Sequence, residues 1–470
     1  MRRVLPKLCS ALIALAAFSA LGITGAPAHA DAPAPGTPDF LARDLKNITD
    51  SYGRILGPGG QVQNPNYLPA LLTQVPLVYV AQMLAQLATP TRLAITAGQL
   101  VPGWNVGNPL RAGWNGTRGI SQPVAFKNRY GAQLRGVVYA PKPGAKDPYT
   151  GATLTGPYPG VVITPGSIQG SQGMYVWLAQ DLAERGYVVL NYDVQGEGTS
   201  ETLPHTAGGD LPFCNPFAAP VDGNMLGCPG VPFQQAANFT TGTSDALDFF
   251  LSPANPYAGL LDRAPDTRSV TPGRTSKVAI VGHSLGAAAV SQVQGTDPRV
   301  EAVVALDKLR GTGGPVPAVP ALAVQSEYFL LPSLATSTPD PAQERATGYD
   351  AWVAAGKDAM LVVPRASTHL EYTDIPLVLP ASRNGQALTS VYVQAFLDRY
   401  LKHTGTDASL VGQTFRYLEP RGNGVWAPVT LDRNSNLSVY YCSAYSIRSG
   451  ADSTGPLLTD GDLSGVGCGS

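Results

Sequence analysis

The chain has 470 residues with a formal net charge of −1; 44% of the residues are hydrophobic and only 14% are charged. This length and composition indicate a globular protein with a large core, and the lack of any basic block argues against nucleic-acid partners. The sequence has neither the Cys and His spacing of a metal site nor a glycine-rich phosphate loop, so we expect no metal and no cofactor.

The first thirty residues have the pattern of an export signal. Three cations precede an apolar run from Ala11 to Ile23, and Ala28 and Ala30 supply the small residues of a cleavage site before Asp31. We therefore predict a signal peptide over 1–30, a secreted protein and no stable membrane anchor. Loss of the three cations would change the formal charge from −1 to −4.

Residues 31–118 are expected to hold a Pro/Ala-rich leader and then a helical region. Apolar residues recur at helical spacing here, namely Leu68, Leu71, Leu72, Val75, Val80, Met83, Leu84 and Leu87. Such a stripe usually packs on the main domain, and we expect that packing here. The very apolar run 76–80 leaves a membrane-surface or substrate-collecting element as the alternative.

The region 119–404 alternates strands with helices. We predict strands at 124–129, 134–140, 161–164, 187–192, 278–281, 300–306, 320–325 and 360–363, and helices at 174–185, 245–251, 285–293, 343–355 and 391–402. This alternation specifies an α/β fold with a mostly parallel sheet flanked by helices. Residues 201–240 interrupt it as a cap-like insertion, and 405–470 are expected to form a small β-rich appendage.

The most informative motif is Gly-x-Ser-x-Gly with Ser284 at its centre. It follows the run from Val278 to Val281, which is typical of a buried parallel strand, and it leads directly into an Ala-rich run that favours a helix. A chain with 52 glycines can contain this pattern by chance, so an ordinary loop is the alternative. The strand-to-helix context favours a nucleophile elbow that exposes the Ser284 hydroxyl.

A serine nucleophile needs an imidazole, and the chain has five histidines. His29 lies in the signal, His205 in the insertion and His403 near the end of a late helix, while strand geometry directs His283 away from Ser284. His369 follows the last predicted strand, so we expect it to be the general base. The alternative is a loop histidine that caps the next helix.

Two carboxylates follow strands at places suited to the acid of a catalytic triad. Asp307 follows the strand after the elbow, and Glu327 follows the next strand. Because the carboxyl ends of parallel strands meet at one edge of a sheet, either is expected to lie near Ser284 and His369. The residue pattern alone leaves both candidates open.

A family resemblance separates these candidates. The pentapeptide around Ser284, the pair Leu306-Asp307 and the tetrapeptide Ser-Glu-Tyr-Phe at 326–329 together resemble platelet-activating-factor acetylhydrolases and their exported bacterial relatives. These belong to the dienelactone-hydrolase side of the α/β-hydrolase superfamily, and the resemblance covers about residues 155–400. It implies an α/β-hydrolase fold and assigns the acid to Asp307. Phe329 stands where most other α/β-hydrolases carry the aspartate.

The resemblance leaves Glu327 a structural role, in which its carboxylate holds loop amides near His369. The oxyanion donors are expected to be backbone N–H groups. One is that of Leu285, directly after the nucleophile, and the other is that of Ser167, in the turn after the strand at 161–164.

Four cysteines remain after the signal, and they fall into two local pairs. The simplest of the three possible connectivities joins Cys214 to Cys228 and Cys442 to Cys468. Disulfides agree with an exported chain.

These features predict a secreted serine esterase that uses a Ser284/His369/Asp307 acyl-enzyme mechanism. The expected partner is a small-molecule, lipid or polymer ester, and the sequence does not predict the oligomeric state. A serine peptidase is the first alternative, although no amine-binding acidic pair or propeller is visible. A non-catalytic binding protein on the same fold is the second, and a complete set of Ser, His and acid argues against it.

Overall fold

The structure is a computed structural model that describes residues 37–56, 61–88, 106–167, 171–201, 236–307, 309–328, 341–374 and 383–466. The predicted signal peptide and residues 202–235 of the predicted cap-like insertion lie outside these ranges. Cys214, Cys228 and Cys468 also lie outside them, and Cys442 is buried. Both disulfide pairings therefore stay predictions.

A ten-stranded sheet organises the molecule. The strands of the described chain are β1 (Gly119–Lys127), β2 (Gln133–Pro141), β3 (Gly160–Thr164), β4 (Val188–Tyr192), β5 (Val278–His283), β6 (Ala302–Leu306), β7 (Ala321–Val324), β8 (Ala359–Val362), β9 (Thr414–Gly422), β10 (Val425–Asp432), β11 (Ala444–Arg448) and β12 (Leu457–Asp460). The sheet order is β1-β2-β4-β3-β5-β6-β7-β8-β11-β12. The six strands β3 to β8 run parallel. Strands β1 and β2 lie at one edge and β11 and β12 at the other, and these strands pair antiparallel with their neighbours. The predicted α/β class is confirmed.

Helices cover both faces of this sheet. The described helices are α1 (Pro38–Leu56), α2 (Tyr67–Leu87), α3 (Val176–Ala183), α4 (Ala236–Leu251), α5 (Leu285–Thr296), α6 (Pro341–Thr347), α7 (Tyr349–Ala354), α8 (Arg383–Leu401), α9 (Ala408–Val411) and α10 (Arg433–Asn436). Successive strand residues point to opposite faces. In β3, Val161 and Ile163 accordingly pack in one buried cluster with α3 and α8, while Val162 packs in the other with α4 and α5. Fully buried apolar runs such as β3 therefore form the interior of an α/β/α sandwich.

The predicted helix 343–355 is two helices in the structure. It breaks at Gly348, where a Cβ atom would lie 2.4 Å from the carbonyl oxygen of Leu309. Helices α4 and α8 begin at Ala236 and Arg383, earlier than predicted. The predicted hairpin at 124–140 is confirmed as β1 and β2.

The segment after 404 is β-rich, as expected, but part of it belongs to the central sheet. Strands β9 and β10 form a separate two-stranded sheet. Strand β11 pairs with β8 through partners such as Ala444 and Leu361, and β12 pairs with β11. Strands β11 and β12 therefore extend the main sheet, whereas β9 and β10 form a sheet of their own.

The two N-terminal helices differ in how they meet the domain. Helix α1 buries Phe40 and Asn47 against it. Helix α2 is buried only near its start, where Tyr67 and Leu71 contact Leu110. The expectation of core packing is wrong for most of the stripe, because Leu68, Leu72, Val80, Leu84 and Leu87 are exposed. In the described residues, the segment Tyr67–Ala85 of α2 is long and apolar enough to cross a membrane.

Candidate active site

Ser284 lies on the sharp turn between β5 and α5. Its backbone has φ 55° and ψ −117°, a left-handed region that non-glycine residues seldom occupy. The flanking glycines make the turn possible: a Cβ at Gly282 would lie 2.1 Å from the carbonyl oxygen of Gly286, and a Cβ at Gly286 would lie 2.3 Å from that of Thr164. The motif therefore has the backbone geometry of a nucleophile elbow.

His369 reaches Ser284 from the loop after β8. It begins a 3₁₀ turn over His369–Tyr372, and its Nε2 lies 2.9 Å from Ser284 Oγ. Its Nδ1 hydrogen-bonds to Asp307 Oδ2. The structure thus brings together the serine, the histidine and the favoured acid, which follow strands β5, β8 and β6.

Asp307 directly follows β6 and is buried. Its Oδ1 accepts a hydrogen bond of 3.1 Å from the backbone N–H of Ser326. Burial alone would raise the pKa of Asp307, but the neighbouring His369 and the hydrogen bonds from His369 and Ser326 outweigh it and hold the pKa below its usual value. An ionised Asp307 is suited to accept the Nδ1–H of His369 and to stabilise an imidazolium.

Glu327 makes different contacts. Its Oε2 accepts hydrogen bonds of 2.7 Å from Asn47 Nδ2 and 2.7 Å from the backbone N–H of Ala366. Asn47 Oδ1 in turn accepts a 2.8 Å bond from Arg365 Nε. Burial raises the pKa of Glu327. These bonds tie helix α1 to the loop that precedes His369, so the carboxyl group stabilises the position of that loop.

The two expected oxyanion donors lie at the turn around Ser284. Leu285 is the first residue of α5, and the first N–H groups of a helix have no partner within the helix. Gly166 packs so close to Ser284 that a Cβ there would lie 3.1 Å from the Ser284 Cβ, and Ser167 follows it. Leu285 and the turn that carries Ser167 therefore lie next to Ser284, and the role of their N–H groups as oxyanion donors stays a prediction.

His283 and Tyr175 form a hydrogen-bond network behind the site. His283 Nε2 lies 2.8 Å from the backbone carbonyl oxygen of His369, and its Nδ1 lies 2.7 Å from Tyr175 Oη. Burial, followed by the neighbouring His369, lowers the pKa of His283 to about 3, so it is neutral at physiological pH. A carbonyl only accepts, so we assign the proton of His283 to Nε2, and Tyr175 must donate to Nδ1.

The same tyrosine oxygen accepts a 2.9 Å bond from the backbone N–H of Gly166. Tyr175 therefore links the turn of the expected oxyanion donor to the elbow, and His283 links the elbow to the loop of His369. As strand geometry predicts, His283 hydrogen-bonds to Tyr175 and to the backbone of His369, and not to Ser284. No local pattern marks Tyr175, which lies in a short 3₁₀ turn before α3.

Among the described residues, no group of three His, Cys, Asp or Glu side chains is arranged to hold a metal ion.

No family model matches this chain. An uncharacterised protein of Pseudomonas aeruginosa is 29% identical to it over 150 residues, which is 31% of this chain and 38% of that protein. The chain therefore spans well under half the length of the curated relative it matches, and the likeness assigns no activity.

Proposed function

We propose that this protein is a serine hydrolase that cleaves carboxylic esters on an α/β-hydrolase fold. The observation that carries the proposal is the hydrogen-bonded series from Ser284 Oγ to His369 Nε2 and from His369 Nδ1 to Asp307, with the serine on a strained elbow. The order of strands β1 to β8, with the elbow after β5, supports the same superfamily.

In the proposed mechanism, Ser284 Oγ attacks the ester carbonyl while His369 Nε2 accepts its proton. Asp307 orients the imidazole through Nδ1 and balances the positive charge that forms. The N–H groups of Leu285 and Ser167 stabilise the oxyanion. His369 then returns the proton to the leaving alcohol, and a water molecule activated by the same histidine releases the acid and regenerates Ser284.

The proposed substrates are lipid-like or short-acyl esters, and the exposed apolar residues of helix α2 favour the lipid-like ones. A protein that uses this fold only for binding has no physical need for a positive-φ serine within 2.9 Å of an imidazole nitrogen. The strained backbone of Ser284 lowers the stability of the fold and would bring a binding protein no benefit, so its presence supports a catalytic role.

A covalent probe tests the proposal directly. The purified protein is expected to react with a fluorophosphonate at Ser284 and to hydrolyse p-nitrophenyl esters, with acyl chains from acetate to palmitate defining its preference. Ser284→Ala should lose labelling and lower kcat by about 10⁴-fold or more, while the unfolding temperature stays close to that of the wild type. Absence of labelling on the folded wild-type protein would overturn the proposal. Efficient, sequence-selective cleavage of peptide anilides by the wild type, lost in Ser284→Ala, would instead identify a peptidase.

A further inference from the structure

Helix α2 presents an apolar stripe to solvent along its whole length. Its exposed large residues, between 39% and 78% accessible, are Leu68, Leu72, Leu77, Val80, Leu84 and Leu87. At about 100° per residue these six residues span about half of the helix circumference, the half that faces away from the buried Tyr67 and Leu71. At 1.5 Å per residue the stripe is about 30 Å long.

An ordinary surface helix turns polar residues to solvent, whereas α2 is apolar on its exposed side as well as on the side that packs through Tyr67, Leu71 and Val75. Gln74 and Gln82 lie on its half-buried side, whereas the most exposed side carries the large apolar residues. Between Arg54 and Arg92 the sequence contains no charged residue. A partner that covers this stripe must therefore itself be apolar and needs no charge.

The chain leaves the domain and returns to it at the same place. Tyr67 and Leu71, at the start of α2, pack on Leu110, and Val106 packs against the same cluster. Tyr67 at the start of α2 and Val106 after its end both contact the domain at this cluster, so the chain must lie on the same side of a membrane before and after the helix. The helix therefore cannot act as a single-pass transmembrane span. It can insert only into the leaflet of the membrane that faces the domain.

The area of the stripe argues against a second copy of this chain as the partner. One face of a helix about 30 Å long and about 10 Å wide offers about 300 Å², or about 600 Å² for a symmetric pair. Stable interfaces bury at least about 1,200 Å² in total. Binding to a lipid surface needs no complementary protein surface, and its strength scales with the apolar area that the helix buries.

We propose that α2 is a one-sided membrane-docking helix that inserts its exposed apolar stripe into the acyl region of a lipid bilayer. The inference goes beyond ester hydrolysis and does not depend on it. Docking by apolar insertion without cations should be insensitive to the charge of the lipid headgroups and to salt.

Sedimentation with vesicles tests this inference separately from catalysis. The vesicles are made of diether phosphatidylcholine, which an esterase cannot hydrolyse, with or without an anionic diether lipid. The wild-type protein should bind both kinds at low and high salt. The double variant Leu72→Asp/Leu84→Asp should bind about tenfold or more weakly, because charged groups enter the acyl region at high cost.

The matched control is Val316→Asp/Leu457→Asp, which alters two exposed apolar residues elsewhere, 75% and 58% accessible. It should bind like the wild type. Both double variants should keep the wild-type turnover of p-nitrophenyl acetate, which shows that they are folded. A second measurement introduces no charge into the helix. The fluorescence emission of an environment-sensitive dye attached to the cysteine of Leu77→Cys should shift to shorter wavelength when vesicles are added, and that of the same dye on Leu457→Cys should not.

Three results would overturn the proposal. The first is no binding of the wild-type protein to neutral vesicles, together with no dye shift. The second is binding only to anionic vesicles, or binding that salt reverses. The third comes from sedimentation velocity, if the wild type and the control variant are dimers and the variant Leu72→Asp/Leu84→Asp is a monomer. That result would show that a second copy of the chain covers α2.

Discussion

Asp307 and Glu327 are two buried carboxyl groups that follow adjacent strands, and their partners give them different tasks. Asp307 contacts the Nδ1 of His369, and its pKa is held low, so it carries the charge that an imidazolium needs. Glu327 binds Asn47 and the amide of Ala366, and burial raises its pKa. The two residues therefore respond differently when the carboxylate is replaced by an amide.

Asp307→Asn should keep the fold and lower kcat by about 10⁴-fold, since an amide favours the wrong tautomer of His369 and cannot balance its charge. Glu327→Gln is the matched control. Its amide oxygen can take the place of Oε2 and accept both hydrogen bonds, while an NH2 group replaces the buried Oε1, so we expect kcat within about tenfold of wild type and a loss of stability of about 1 to 3 kcal/mol. Steady-state kinetics with a p-nitrophenyl ester and thermal unfolding of both variants provide the measurement. A near-normal Asp307→Asn beside an inactive Glu327→Gln would transfer the acid role to Glu327.

At the scale of elements, the sequence predicts what depends on local chemistry. The apolar run of β5 and the glycines on either side of Ser284 define a strand, a turn and a helix without reference to the rest of the chain. His369 and the two candidate acids, Asp307 and Glu327, could be placed near Ser284 because the carboxyl ends of parallel strands share one edge of a sheet, and only the family resemblance favoured Asp307 as the acid.

Features that depend on contacts between distant segments were not predictable. Helical spacing in α2 indicates a helix but not what covers it, and most of its apolar residues are exposed. Strand β11 has five residues, and its assignment to the central sheet depends on the open edge of β8, which no local pattern reveals. The bond between Asn47 and Glu327 joins residues 280 positions apart.

Tyr175 joins the turn at Gly166 to strand β5 through its hydroxyl group. The hydroxyl oxygen accepts a hydrogen bond from the backbone N–H of Gly166, and the hydroxyl donates one to the Nδ1 of His283. Tyr175→Phe keeps the ring and removes both bonds, leaving the N–H of Gly166 and the Nδ1 of His283 unpaired. An unsatisfied buried group costs about 1 to 3 kcal/mol, so we expect kcat to fall about tenfold to a hundredfold as the turn of Ser167 loses its position. KM should change little, because the Tyr175 side chain is fully buried and hydrogen-bonds to Gly166 and His283.

Tyr372→Phe is the control for this prediction, since the Tyr372 ring lies 5.7 Å from the same imidazole and is also fully buried. Kinetics of both variants well below their unfolding temperatures separate positioning from stability. Equal losses of kcat in the two variants, or a Tyr175→Phe effect confined to KM, would contradict a role for Tyr175 in positioning the donor turn.

At the scale of the whole molecule, the two ends of the sheet have different roles. The carboxyl ends of β5 and β6 carry Ser284 and Asp307, whereas Glu301 is buried just before the first residue of β6 at the other end. Glu301 accepts a 2.6 Å hydrogen bond from Ser269 Oγ. Burial, supported by the nearby Asp266 and opposed in part by Ser269 and Arg274, raises the pKa of Glu301 to about 8. This carboxyl group therefore links the stability of the fold to pH at a distance from the catalytic residues.

The sign of this linkage follows from proton binding. Below pH of about 4.5 the Glu301 carboxyl is protonated in the folded and the unfolded chain alike, and it adds no pH dependence. Between about 4.5 and 8 the unfolded chain releases the proton while the folded protein keeps it, so the free energy of unfolding falls as pH rises. Glu301→Gln cannot ionise and still accepts from Ser269. At about 1.4 kcal/mol per pKa unit, the shift from 4.5 to about 8 implies that the variant stabilises the protein by up to about 4 to 5 kcal/mol at pH near 8.5 and by about 1 kcal/mol at pH near 5. Denaturant unfolding of wild type and variant at the two pH values measures this difference, and an equal change at both would show that Glu301 ionises normally in the folded protein.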